Sequence, residues 1–434
     1  MSSSRLAAAS WQTICVMVPG KIMSYLLRHC QRFALCISLG ACGAQVFAQA
    51  GGALKVIKMD GKDPGPASSA GILANQTLYV AGQNGRSADG TLAKDFQQEA
   101  GQSLSNVQGV LRAAGMDFGN VVWMNIYVTN GQDIAAMNDV YWKAIVQNPP
   151  ARTVLVVSAL PNGEKIEINC IAVGPGATRR VIHPQGWPQG QHVDPPGIQV
   201  DDVLYMSAQG GTDPLTGKSA ANFADEVKQA LDNVTTIVKS ANMSMANVIW
   251  VNPYLSSTDA PENVMNKIYA TYFEFGNTPG RGTIQVLDLP NKNHIVFSCI
   301  AGADLTKRRA IRPNNERPSR TASPGILYGD TLYLSAKDAY VPGLGLFTPD
   351  LDVQVRLSMR NLLDGLEEAD MDFSNVVSST IYMREMKDAD KVHTLYGSFL
   401  KSHFPARTTL QQNFDLQAED VEQISFIAVR QPKQ

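Results

Sequence analysis

Cysteine is scarce once the first fifty residues are set aside: four of the six lie before residue 50, and only Cys170 and Cys299 lie beyond it. A disulfide scaffold needs several pairs, and a structural metal site needs clustered Cys and His at short spacings; the chain has neither pattern. Cys170 and Cys299 each precede Ile-Ala at the end of similar apolar runs, which marks them as small core residues at matching places rather than as a bonded pair. Dense basic runs are missing too, "KRRAIRP" being the nearest approach. Beyond residue 50, thirty-three Lys and Arg face thirty-nine Asp and Glu. A nucleic-acid binder concentrates positive charge to displace phosphate counterions, so no nucleic-acid partner is expected.

Acid is absent from residues 1–50, which hold Arg5, Lys21, Arg28 and Arg32. From Met23 the stretch "MSYLLRHCQRFALCISLGACGAQVFAQA" has a basic start, an apolar run of about a dozen residues and a small-residue ending, as a secretory signal does. The expected cut follows Ala48-Gln49-Ala50, giving an exported, periplasmic or secreted chain; the alternative is lipid attachment at Cys42 in "LGAC". The run is too short and too interrupted by cysteine for a membrane helix of ~20 residues. Membrane association is therefore expected only through an uncleaved or lipidated leader.

The 434 residues, 44% of them hydrophobic, suffice for several domains with sizeable cores. They repeat themselves. "MDFGNVVWMNIYVT", "MSMANVIWVNPYLS" and "MDFSNVVSSTIYMR" begin at Met116, Met243 and Met371, and tyrosines at Tyr141, Tyr269 and Tyr396 and arginines at Arg152, Arg281 and Arg407 keep the same step. A period this long is a domain, since solenoid repeats run ~20 to 50 residues. The boundaries read 52–176, 180–304 and 310–434, after the leader 1–50, with Pro/Gly/Arg-rich joins between them.

Apolar residues three and four apart, Phe96, Ala100, Leu104, Val107 and Leu111, form one helical stripe that recurs in both other copies. A β-rich run from Val121 to Val128 follows, then a shorter helix carrying "AAMNDVYWKAI", then two strands around "PNGE". The order per unit is β-β-α-β-α-β-β, an α+β sandwich with both helices on one face of a mixed sheet. The other face needs a cover. Three such sheets can supply it to one another around a pseudo-threefold axis, so the chain is expected to be a monomer behaving as a trimer; the alternative is three independent beads.

The segments "LYVAGQ", "MNDVY", "PPART" and "EKIEINCIAV" at this spacing resemble the RidA/YjgF family of reactive-intermediate deaminases, also labelled endoribonuclease L-PSP. The resemblance extends over all three units. It implies chorismate-mutase-like domains, clefts between neighbouring subunits, and hydrolysis of enamine or imine acids to 2-oxo acids and ammonia without metal or organic cofactor. It assigns Arg152 to the carboxylate of the substrate and Glu167 to the attacking water, with Gly82, Gln83 and Ser68 lining the cleft and Arg281 and Arg407 as further carboxylate-binding groups. The chemistry is reasonable, because a guanidinium fork matches a carboxylate and a carboxylate can orient a water and take its proton.

Departures from the family pattern are informative. The glutamate position holds Val296 in unit two and Gln423 in unit three, and "GQ" at Gly82-Gln83 becomes Ala208-Gln209 and then Ala336-Lys337. The cleft tyrosine of the family is missing from "PASSAGIL". At most one cleft keeps the deaminase pair. The competing readings are an exported imine deaminase, a non-catalytic binder of small carboxylates, and a structural module in which Arg152 and Glu167 are only an ion pair.

Overall fold

The computed structural model describes residues 54–59, 65–256, 260–341, 345, 348–413 and 420–431; the expected signal sequence, its expected cut and Cys42 lie outside them. Unit one consists of β1 (Lys55–Ile57), β2 (Gly71–Ala74), β3 (Thr77–Asn84), α1 (Phe96–Ala113), β4 (Val121–Val128), α2 (Ile134–Ala144), β5 (Ala151–Val156) and β6 (Ile166–Val173). Three strands rather than two thus precede the long helix. The unexpected one, β1, is a three-residue edge strand, too short for an alternating pattern to reveal it.

Unit two repeats the order with β7 (Arg179–Ile182), β8 (Gly197–Val200), β9 (Val203–Met206), β10 (Gln209–Gly210), α3 (Phe223–Ser240), β11 (Val248–Ser256), α4 (Glu262–Tyr269), β12 (Gly280–Arg281), β13 (Ile284–Val286) and β14 (Ile295–Gly302). Unit three has β15 (Arg308–Ile311), β16 (Gly325–Tyr328), β17 (Thr331–Lys337), α5 (Leu351–Glu367), β18 (Val376–Met383), α6 (Ala389–Gly397), β19 (Ala406–Gln411) and β20 (Glu422–Val429).

The long helices start where a short polar side chain can hold the first free N–H groups: Asp95 accepts from Gln98 N, Asn222 from Asp225 N and Asp350 from Val353 N. The expected stripe is buried, from Phe96 through Leu111. The sheet order is β1-β2-β3-β6-β4-β5, repeated in the other units. Every pair is antiparallel except β4 with β5 and its counterparts, which flank the crossover helix.

One face of each sheet lies under its helices. In unit one Ile166, Ile168, Cys170 and Ala172 of β6 face Leu104, Val107 and Leu111 of α1. Strand alternation sends Glu167, Asn169 and Ile171 the other way. That face meets the other two units. Ile72, Tyr79, Val122 and Trp123 pack with Ile198, Tyr205, Ile249 and Trp250 of unit two and with Ile326, Tyr333 and Val377 of unit three. A second shared cluster gathers Tyr127, Tyr254 and Tyr382 with Leu155, Ile284 and Leu410. Apolar burial at ~25 cal/mol per Å² makes such a shared core a strong tie, which rules out independent beads.

The units close in a ring through their edge strands. Ser69 N donates to Pro405 O at 3.1 Å, joining unit one to β19, and Ala208 N donates to Arg152 O at 3.1 Å, joining unit two to β5. In unit three, Ser335 Oγ accepts from Arg281 N at 2.8 Å, completing the ring. Pairing the β5, β12 and β19 edges with a neighbour also removes an exposed strand template there. Cys170 and Cys299 are free and buried.

Candidate functional site

Each unit carries its arginine on the edge strand that abuts the next unit, while its glutamate position lies mid-sheet, facing the previous one. The ring therefore makes three clefts, each drawing its arginine from one unit and its wall from another: Arg152 against unit two, Arg281 against unit three, and Arg407 against unit one. Arg152 and Glu167, expected to act together, lie in different clefts. Glu167 faces Arg407.

The arginine strand in this third-to-first cleft starts from a faithful "PAR" sequence, and Ser69 locks it in place with its Oγ donating to Phe404 O at 2.6 Å. Glu167 is 5% exposed. Burial pushes its carboxyl up to about 8, helped by the nearby Glu164; the Arg407 guanidinium and the Thr409 backbone N–H, both from unit three, pull in the opposite direction. At neutral pH this carboxyl keeps its proton and can donate it.

Gly82 makes room for that carboxyl. β3 slips register between Val80 and Gln83, a bulge of the kind that re-aims side chains, and the Glu167 carboxyl lies directly over Gly82. A Cβ there would come 1.6 Å from Oε1 and 2.4 Å from Cδ. Units two and three have alanine at this position, Ala208 and Ala336, and neither has a glutamate opposite. The pairing of glycine with glutamate is therefore steric. Of the other expected lining groups, Ser68 is buried beside Ser69, and Gln83 is buried with its amide nitrogen donating to Ala81 O at 3.2 Å.

The three arginines differ in what holds them. Arg152 is fully engaged: Nε and Nη2 donate to Asp194 Oδ2 at 3.1 and 2.9 Å, Nη1 donates to Asn138 Oδ1 at 2.8 Å, and the guanidinium sits 4.2 Å over the Tyr141 ring. Asp194 comes from unit two and fills the role a ligand carboxylate would take, beside a cavity of about 460 Å³ whose lining includes Val296. Arg281 donates from Nη1 to Asn266 and lies 3.6 Å from Glu262. Arg407 donates from Nη1 to Pro66 O at 2.7 Å and, among the described residues, makes no ion pair within 4 Å.

His393 replaces the asparagine in the third copy. It sits beside Thr409, with Nε2 and Thr409 Oγ1 at 3.0 Å, and burial, with Arg407 nearby, drives its pKa down to about 3, leaving it neutral. Tyr141, Tyr269 and Tyr396 are fully buried and pack helix to sheet. Sequence reasoning missed Asp194, which comes from a loop with no recognisable motif, and Glu262, which opens the repeated short helix at a place where unit one has Ile134.

A family model described as Endoribonuclease L-PSP matches residues 63–174, 188–302 and 315–429. The chain belongs to this RidA/YjgF family, in three tandem copies. Over 117 residues, 26% of this chain and 85% of the relative, it is 42% identical to a 2-iminobutanoate/2-iminopropanoate deaminase of Capra hircus. The Homo sapiens protein of that name is 38% identical over the same length, with the same coverage. A solved chorismatase shares the fold over 72% of this chain and 93% of its own, with a TM-score of 0.52 and 13% identity. Among the described residues, the cleft between units three and one sets an arginine against a glutamate at the Glu167 position, whereas that position holds Val296 and Gln423 in the other two.

Proposed function

We propose that the chain hydrolyses small imine or enamine acids to 2-oxo acids and ammonia in the cleft between units three and one. The observation that carries this is the state of Arg407: among the described residues it is the one of the three repeated arginines that no carboxylate pairs within 4 Å, and it faces Glu167. A guanidinium so placed can take a substrate carboxylate through its fork. Arg152 is already occupied by Asp194.

Protons balance through one carboxyl. Neutral Glu167 gives its proton to the imine nitrogen, and the resulting carboxylate takes one from the attacking water as the new C–O bond forms. It returns that proton to the amine as the C–N bond breaks and ammonia leaves; the hydroxyl proton then passes to the Glu167 carboxylate, which yields the carbonyl and restores the neutral carboxyl. A group with a pKa near 8 can serve in both directions close to neutrality. An imine is already electrophilic, so orientation and proton transfer suffice.

The test is ammonia release from a freshly generated 2-imino acid, corrected for the uncatalysed rate. Arg407→Ala and Glu167→Gln should each lower kcat/KM by 10² or more, while Arg152→Ala should keep most of it. Loss in Arg152→Ala with retention in Arg407→Ala would overturn the assignment. We also propose that residues 1–50 export the chain and that it acts as a monomer. Mass spectrometry of the periplasmic protein, finding an N-terminus at Gly51, and a monomeric mass by light scattering are the expected results.

A further inference from the structure

The cleft between units two and three differs from the other two in charge. Arg407 faces a carboxyl that is neutral at pH 7, which suits an anion. Arg152 is cancelled by Asp194. Between units two and three, each wall brings a cation and an acid of its own: Arg281 with Glu262 at 3.6 Å from unit two, and Lys337 Nζ with Glu316 at 2.6 Å from unit three. These four groups, with Gln423 and Asp420, line one cavity of about 350 Å³. A second, of about 530 Å³, shares Glu316, Lys337 and Asp338 and continues outward past Asn315 and Tyr340.

The two ion pairs are not equally spent. Glu262 approaches Arg281 without a hydrogen bond, and Asn266 is the one acceptor that the Arg281 side chain reaches among the described residues. Arg281 therefore keeps free donors on the cavity side. A ligand bearing only a negative charge would satisfy them but would also meet Glu262, Glu316 and Asp420. One bearing only a positive charge would meet Arg281 and Lys337. A ligand carrying both charges a few ångströms apart can set its anion against Arg281 and Lys337 and its cation against the acids.

We propose that this cleft binds a small zwitterion of the α-amino-acid class, with Arg281 and Lys337 taking the carboxylate, Glu316 and Glu262 the ammonium, and the adjoining chamber the side chain. Gln423 stands where unit one has Glu167, and an amide takes no proton from water, so the ligand is bound and left unchanged. The site is separate from the one proposed for catalysis, and neither reading depends on the other.

Calorimetry at pH 7 on the full-length Arg407→Ala variant, which lacks the carboxylate-binding arginine of the other cleft, tests it with L-alanine, propanoate and ethylamine, the last two being alanine without its ammonium and without its carboxylate. L-alanine should bind at least tenfold more tightly than either. In the same background Arg281→Lys, which keeps the charge and loses the fork, and Lys337→Met should each weaken it at least tenfold. Equal affinity for propanoate, or unchanged binding in both Arg281→Lys and Lys337→Met, would each overturn the proposal.

Discussion

Replacing Gly82 by alanine should remove activity without unfolding the protein. A Cβ at this position would stand 1.6 Å from Glu167 Oε1, 2.4 Å from Cδ and 2.8 Å from Cγ, so the carboxyl has to move by roughly 2 Å to reach an ordinary contact. The atoms displaced are the far end of a flexible side chain, and the Gly82 backbone does not have the positive φ that would exclude alanine. Overpacking usually costs ~1 to 3 kcal/mol, and here the low end is expected, because alanine already occupies the same place in units two and three as Ala208 and Ala336. The catalytic cost should be much larger, since a misplacement of ~1 Å can lose about 10² in rate. Urea unfolding and ammonia release, measured on Gly82→Ala, Glu167→Gln and the double variant, separate the two effects. The rate losses should not add: once Glu167 is gone, Gly82→Ala should cost little more. Full activity in Gly82→Ala, or losses that multiply in the double variant, would refute the steric argument.

Ser68 holds the place in unit one that Asp194 holds in unit two, so Ser68→Asp should supply Arg407 with an internal carboxylate and raise KM at least tenfold, as steady-state kinetics would show. The reciprocal change, Asp194→Ser, should uncover Arg152 and add a second site for propanoate in calorimetry, seen as a rise in stoichiometry. Glu167 should also make stability depend on pH. Below its unfolded value of 4.5 both states hold the proton; between 4.5 and about 8 only the folded state does, so stability falls as pH rises through that window and levels off above it. Glu167→Gln should remove this component, and unfolding midpoints at pH 5 and pH 8.5 should lie closer together in the variant than in the wild type. The slope that persists in Glu167→Gln is expected from Glu422, whose carboxyl burial also pushes up to about 8.

Much of the architecture was legible because the chain contains its own comparison. Three helical stripes at one step identify the domain, and a sheet with both helices on one face needs a cover for the other. What pattern reading could not deliver is the pairing between units. Arg152 and Glu167 lie close in sequence, on neighbouring runs, and local reasoning joins them. Their separation follows from strand order, which places β5 at the edge of the sheet and β6 in its interior. A residue on an edge strand serves the neighbour across that edge. The substitutions at Val296 and Gln423 were visible as departures, but their partners Ala208 and Ala336 acquire meaning only when the Glu167 carboxyl is seen lying over Gly82. Asp194 could not be singled out, since a lone aspartate before two prolines also reads as an ordinary loop.

The ring joins the end of the chain to its beginning, and this has a consequence for synthesis. Glu167 is made early and Arg407 late, so the cleft that brings them together cannot exist until the last unit has left the ribosome and docked. Domains generally fold as units in the order they emerge, and contacts this distant in sequence are among the slowest to form. A chain cut short anywhere before β19 lacks Arg407 and so has no arginine to set against Glu167. The proposed catalytic site is thus a property of the finished polypeptide.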